Sequence, residues 1–356
     1  MYLKRPLIFR ILAFCAVCIM VSTFAFTQDI SSTAGAFKRL AVKPPRPAPA
    51  NFHLSSGVLP EWNGSFVYNG NQYNYVMVGA DPSTNQGALI TTWVIPVKIV
   101  LSTGQTFDPL SGGPSSPLAR TILSPIFDRS TTYVQGGVDV GTTQYLDAFQ
   151  RANFWSIVSN NPNSHLLLGG PSSRIAILPE LTLNVPPSDG LVGTPFGHQV
   201  AEVSLDYFDN EISTYMAQSD VINAAGIPIF ETADTYLTEG GCCIAGYHSA
   251  LDAQTYLSAT YVTYAGDYGE DVSALSALLG DWADDPLYPA PNSTPCGGLA
   301  VAGPAPGSYP YQLHNFTYHL QDLVFLRYFG GPADGSVNDW WSFQGYPFTQ
   351  VCQNGD

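Results

Sequence analysis

The stretch DVSALSALLGDWADDP, Asp271 to Pro286, decides how the second half of the chain is read. Leu275, Leu279 and Trp282 recur at three- and four-residue spacing, which on a 3.6-residue period makes one apolar stripe. The reading is a short helix over Asp271–Asp284, stopped by Pro286, with those three side chains turned to the core. Its C-terminal end carries Asp281, Asp284 and Asp285. Carboxylates there oppose the helix dipole, which favours cations at that end. Two explanations stand: a solvated acidic turn, or calcium held on clustered carboxylate oxygens.

Upstream of this helix the chain reads mainly as strands. GALITTWVIPVKIVLSTGQTF (Gly87–Phe107) is the strongest signal, β-branched and closed by a Ser-Thr-Gly turn. Pro96 inside it predicts an edge position or a bulge, because proline has no N–H for a ladder. LTLNV (Leu181–Val185), AEVSLDYF (Ala201–Phe208), GIPIF (Gly226–Phe230) and TYLSATYVTY (Thr255–Tyr264) are further strands. One clear helix interrupts them, Thr142–Val158, with Tyr145, Phe149 and Ala152 at helical spacing and Thr142 or Thr143 as its cap. The segment Tyr318–Phe329 is apolar and fits helix or strand. The order predicts an α+β fold, a single domain over residues 54–356 with a mixed, mostly antiparallel sheet, rather than a regular βαβ array.

The N-terminus reads as a targeting segment. Lys4, Arg5 and Arg10 precede the apolar run Ile11–Phe26, which is short for a membrane span, and small residues near Thr23, Ala25 and Thr27 offer cleavage sites. We expect a signal peptide over residues 1–27 and a proline-rich spacer over 28–53, where Val42–Asn51 holds four prolines. The expected location is secreted, periplasmic or extracellular. Without the signal, 10 basic residues face 28 acidic ones, a net charge of −18. That surface repels nucleic acid and anionic lipid, so neither is expected as a partner.

Removal of the signal also takes Cys15 and Cys18 and leaves Cys242, Cys243, Cys296 and Cys352. An even number in an exported chain reads as disulfides. A bond between adjacent cysteines closes a strained ring, so Cys242 and Cys243 are each expected to reach Cys296 or Cys352. Such a bridge would restrict the unfolded chain by roughly 2–4 kcal/mol.

No GxSxG elbow, P-loop, GxGxxG or HExxH motif occurs. The histidines are scattered. His314 and His319 are five apart, a spacing that shares neither a helix face nor a strand face. His248, in GGCCIAGYHSA (Gly240–Ala250), is read as part of a Gly- and Cys-rich loop that frames a cleft or simply shapes a disulfide-tied turn.

TQYLDAFQRANFW (Thr143–Trp155), GGCCIAGYHSA, the Asp271–Pro286 helix, STPCG (Ser293–Gly297), FTYHLQDLVFLRYFG (Phe316–Gly330) and SVNDWWSFQGYPF (Ser336–Phe348) carry a resemblance. The chain resembles a group of secreted bacterial proteins with a zincin-like, metallopeptidase-like signature, and more faintly the plant phosphate-induced, exordium-type secreted proteins. In the bacterial group the helix reads Ser-His-Glu-Ile-Gly-Glu-Trp. The resemblance implies that His and the second Glu hold zinc and that the first Glu activates the metal-bound water. A later Leu-Glu-x-Gly-Asp segment would complete the site.

Laid on this chain, the implied histidine falls at Ala277 and the general base at Leu278. The second acid falls at Asp281, and the later acids fall at Ala300 and Gly303. Alanine and leucine have no lone pair for zinc and move no proton. The expectation is a pseudoenzyme with no catalytic residue, no metal ligand and no cofactor. It would bind a peptide, a cell-wall component or a protein through the old cleft, with His248, Asp284 and Asp285 around it. An active hydrolase with a site rebuilt from His248 and Asp281 is one alternative; a structural surface or matrix protein is the other.

Overall fold

The computed structural model describes residues 40–42, 57–68, 71–135, 138–170, 175–264, 271–284, 286, 310–313 and 316–319. The strands are β1 (Leu40–Val42), β2 (Glu61–Tyr68), β3 (Asn71–Val78), β4 (Ala88–Leu101), β5 (Thr106–Phe107), β6 (Thr131–Gln135), β7 (Val138–Thr143), β8 (Leu166–Gly169) and β9 (Ala176–Ile177). They continue with β10 (Leu181–Val185), β11 (Gly190–Gly193), β12 (Val200–Ser204), β13 (Gly226–Ala233), β14 (Thr235–Thr238), β15 (Gly246–Leu251), β16 (Gln254–Tyr261), β17 (Pro310–Leu313) and β18 (Phe316–His319). The helices are α1 (Pro117–Leu123), α2 (Tyr145–Asn153), α3 (Trp155–Val158), α4 (Leu205–Gln218) and α5 (Ser273–Asp284).

The fold is α+β around a mixed sheet. Nine strands join it, with the order β1-β15-β16-β13-β4-β10 and with β5, β8 and β9 also paired to β4. Its ladders differ from the expected antiparallel majority. β15–β16 and β4–β5 are antiparallel, while β1–β15, β16–β13, β13–β4, β4–β8, β4–β9 and β4–β10 are parallel. The cause lies in the connections. Helix α2 separates β4 from β8, and α4 precedes β13, so crossovers rather than hairpins deliver the neighbours of β4.

β4 lies at the centre and not at an edge. Pro96 is tolerated because the ladder changes partner there: β9 pairs as far as Val94 and β10 begins at Val97. Alternation along β4 and β13 divides the interior into two cores. Ile90, Val94, Ile227 and Ile229 face one core, and Trp93, Ile95, Val97 and Phe230 face the other.

Helix α4 covers the second core. The sequence reading ran a strand through Phe208; the strand stops at Ser204, whose Oγ accepts from the Tyr207 amide and caps the helix. Leu205, Phe208, Ile212 and Met216 then form the buried stripe. Helix α5 covers the first core. Leu275, Leu279 and Trp282 are buried as expected, and so are Ala274, Leu278 and Ala283. Strands β3, β15, β16 and β18 and helix α2 all touch it, and the described side chains of α5 are all buried.

The expected helix over Thr142–Val158 divides into α2 and α3, and the chain enters α2 directly from β7. Leu40–Val42 lies in the stretch read as spacer, yet it pairs with β15. Residues 1–27, Asp285, Cys296, Ala300, Gly303 and Cys352 lie outside the described residues, as does Tyr318–Phe329 apart from its first two residues. The side chains of Ala277, Asp281 and Asp284 lie outside them as well. Among the described residues no helix is long and apolar enough to cross a membrane.

Candidate functional site

The position implied for a general base is held by Leu278, which is 0 % exposed. It lies over β15 at Gly246. A Cβ on Gly246 would meet Leu278 Cδ1 at 2.6 Å and the Ser258 carbonyl at 2.3 Å, so glycine is required for helix and sheet to approach. One turn on, Trp282 is fully buried and its indole N–H donates to Thr255 Oγ1 at 3.1 Å. The described side chains of this helix pack into the core.

His248 corrects the loop reading. It stands in the middle of β15, in register with Val42 on one side and Leu257 on the other. It is 0 % exposed, and among the described residues neither ring nitrogen has a hydrogen-bond partner. Burial without a compensating partner disfavours the charged form, so its pKa is pushed down to about 4. It is a buried residue of the sheet rather than of a loop, and its surroundings favour the neutral imidazole. Among the described residues no three His, Cys, Asp or Glu side chains gather as a metal-holding group.

The cysteines also differ from expectation. Cys242 and Cys243 bond to each other and reach neither Cys296 nor Cys352.

An open, polar concavity lies at the start of α2. Asp147 is 0 % exposed. Its Oδ2 accepts from Thr143 Oγ1 at 2.6 Å and lies 2.7 Å from His165 Nδ1, and its Oδ1 accepts the Leu166 amide at 2.7 Å. This holds the His165 ring by one nitrogen and leaves a third of the side chain exposed. With the carboxylate on Nδ1, the neutral ring carries its proton there and offers Nε2 as an acceptor. Arg151, one helical turn after Asp147, donates through Nε to the Val140 carbonyl and through Nη1 to the Ser164 carbonyl. Ala80, Pro82, Gln150, Phe154 and Val158 complete the lining of a small concavity of about 20 Å³, room for a water-sized group. Asp147 and His165 are 18 residues apart and no motif joins them, so sequence reasoning passed over the pair. The faint signal was the acid one turn into a helix, opposite the histidine that leads into the next strand.

A second polar cluster sits toward the carboxyl ends of β13 and β16, where ligands of parallel sheets often bind. Thr121 Oγ1 donates to Glu231 Oε1 at 3.0 Å, while Oε2 has no partner among the described residues. Burial pushes the Glu231 pKa up to about 8, only partly opposed by the Thr121 bond. Arg120 donates through Nε to the Tyr261 hydroxyl and through Nη2 to Asp271 Oδ1 at 3.2 Å, and Tyr261 donates to the same carboxylate at 2.6 Å. Burial, and then Asp271, raise the Tyr261 pKa. These bonds tie α1, β16 and the entry to α5 together.

On the opposite face Asp209 of α4 is fully buried and accepts from Tyr247 and Tyr256 hydroxyls at 2.9 and 2.5 Å. Compared with family models, with curated proteins and with solved structures, the chain matches none.

Proposed function

We propose that the chain is a secreted, metallopeptidase-like protein whose former catalytic helix now serves as a core helix, and that it acts by binding a peptide, a cell-wall component or another protein. The observation that supports this reading is Leu278. At the place implied for the general base stands an apolar side chain, fully buried against Gly246. A glutamate there would be an unpaired charge in the core. We place the ligand at the concavity beside His165. Metal analysis of the mature, folded protein is expected to find no stoichiometric zinc, and a chelator should change neither its melting temperature nor its ligand binding. Tight zinc together with chelator-sensitive cleavage of a peptide library would overturn the reading.

A second reading, an active hydrolase, is favoured by the Asp147–His165 pair. A buried carboxylate that orients an imidazole one-third exposed is the arrangement a general base needs. On that reading His165→Ala and Asp147→Asn each lower ester or peptide hydrolysis by about 100-fold or more, and a chelator has no effect. Undetectable hydrolysis by the wild-type protein across such a library leaves the binding reading alone.

A further inference from the structure

The Cys242–Cys243 bond has an unusual placement for a structural disulfide. A cross-link stabilises chiefly by closing a loop in the unfolded chain, and the gain grows with the loop it closes. Between adjacent residues it closes almost none. Nor does the turn depend on it. Leu237 and Ile244 exchange both backbone hydrogen bonds, at 2.8 and 2.9 Å, and the Glu239 amide donates to the Gly241 carbonyl inside them. Gly240 and Gly241 take φ of +65° and +151°, and a Cβ on either would have nothing within 4 Å among the described residues, so the tip stands clear of the described body. Cys242 is exposed at this tip, while Cys243 is 8 % exposed and belongs to the core.

We infer that Cys242–Cys243 is a thiol–disulfide exchange site for low-molecular-weight thiols rather than a structural staple. The exposed sulfur is the one open to attack, and accessible disulfides are the labile ones. A thiolate RS⁻ attacks Cys242 Sγ. The RS–Sγ bond forms as the Cys242–Cys243 bond breaks, and the electron pair leaves on Cys243 Sγ, which takes a proton from solvent. A second RS⁻ attacks the RS sulfur of this mixed disulfide and releases RSSR, leaving Cys242 as a thiolate that is then protonated. Overall the protein disulfide gains two electrons and two protons, and two thiols are oxidised to one disulfide. The inference stands on the turn alone and is independent of what α5 or the His165 cleft does.

The test uses the mature full chain in glutathione buffers of graded ratio, quenched by alkylation and mapped by mass spectrometry. We expect reduced or glutathione-bearing Cys242 while the protein is still folded by circular dichroism. Cys296 and Cys352 also respond to thiols, so stability is read on the Cys242→Ser/Cys243→Ser double variant. Its melting temperature should lie within about 2 °C of wild type, the size of a change under 1 kcal/mol in a chain this long. A pair that stays oxidised until the protein unfolds overturns the inference, as does a double variant that melts clearly lower.

Discussion

At the scale of single residues, the enclosed position of Leu278 makes a strong statement about repair of the family motif. Leu278→Ala should cost about 2–5 kcal/mol by leaving a cavity above Gly246. Leu278→Glu, alone or with Ala277→His, should cost more and abolish a cooperative melt, because it places a carboxylate at a fully buried position against Gly246. A double variant that keeps wild-type stability would mean that the Leu278 position opens to solvent. The same reasoning covers Asp147. Asp147→Ala strands the Thr143 hydroxyl and the Leu166 amide, both buried, and should lower stability by about 2–4 kcal/mol in urea denaturation. Asp147→Asn, which keeps an acceptor, should cost less.

At the scale of elements, what could be read from sequence depended on whether the deciding contact was local. β4 and α5 were legible because their apolar runs and stripes are contained in one stretch. Helix α4 was not. AEVS alternates as a strand and LDYF continues it by eye, and the break is Ser204, whose capping role shows only once its hydroxyl meets the Tyr207 amide. Ser204→Ala should therefore cost about 1 kcal/mol and be visible as faster amide exchange in the first turn of α4. His248 was misplaced because glycine and cysteine dominate its approach, whereas the strand begins at Gly246, a glycine required by helix contact rather than by a turn. The Asp147–His165 pair and the Asp209–Tyr247–Tyr256 group join residues 18 to 47 apart. Nothing local to either partner announces them.

At the scale of the whole molecule, two buried groups shape the response to pH in opposite senses. His248 falls from 6.5 to about 4 on folding, so the stability it contributes is present above 6.5 and is lost as pH drops toward 4. Glu231 rises from 4.5 to about 8, so its contribution is present below 4.5 and is lost as pH climbs through 8. Between 4.5 and 6.5 the two slopes cancel, and the pair predicts greatest stability in mildly acid solution. Denaturation across pH 4–9 should show the alkaline decline flattened in Glu231→Gln and the acid decline flattened in His248→Phe; unchanged slopes in both would remove these groups as the cause. The central place of β4 has a further consequence, for the order of assembly. Thr91 and Gly226 sit opposite one another in the sheet yet are about 135 residues apart along the chain, a separation that slows folding. Until residues 226–233 exist, one flank of β4 has no β13 to pair with, and an apolar strand of 14 residues offers its unpaired amides to any neighbour. A chain cut short before β13 should therefore aggregate rather than form a smaller version of the fold, and the growing polypeptide needs that flank shielded until β13 has been made.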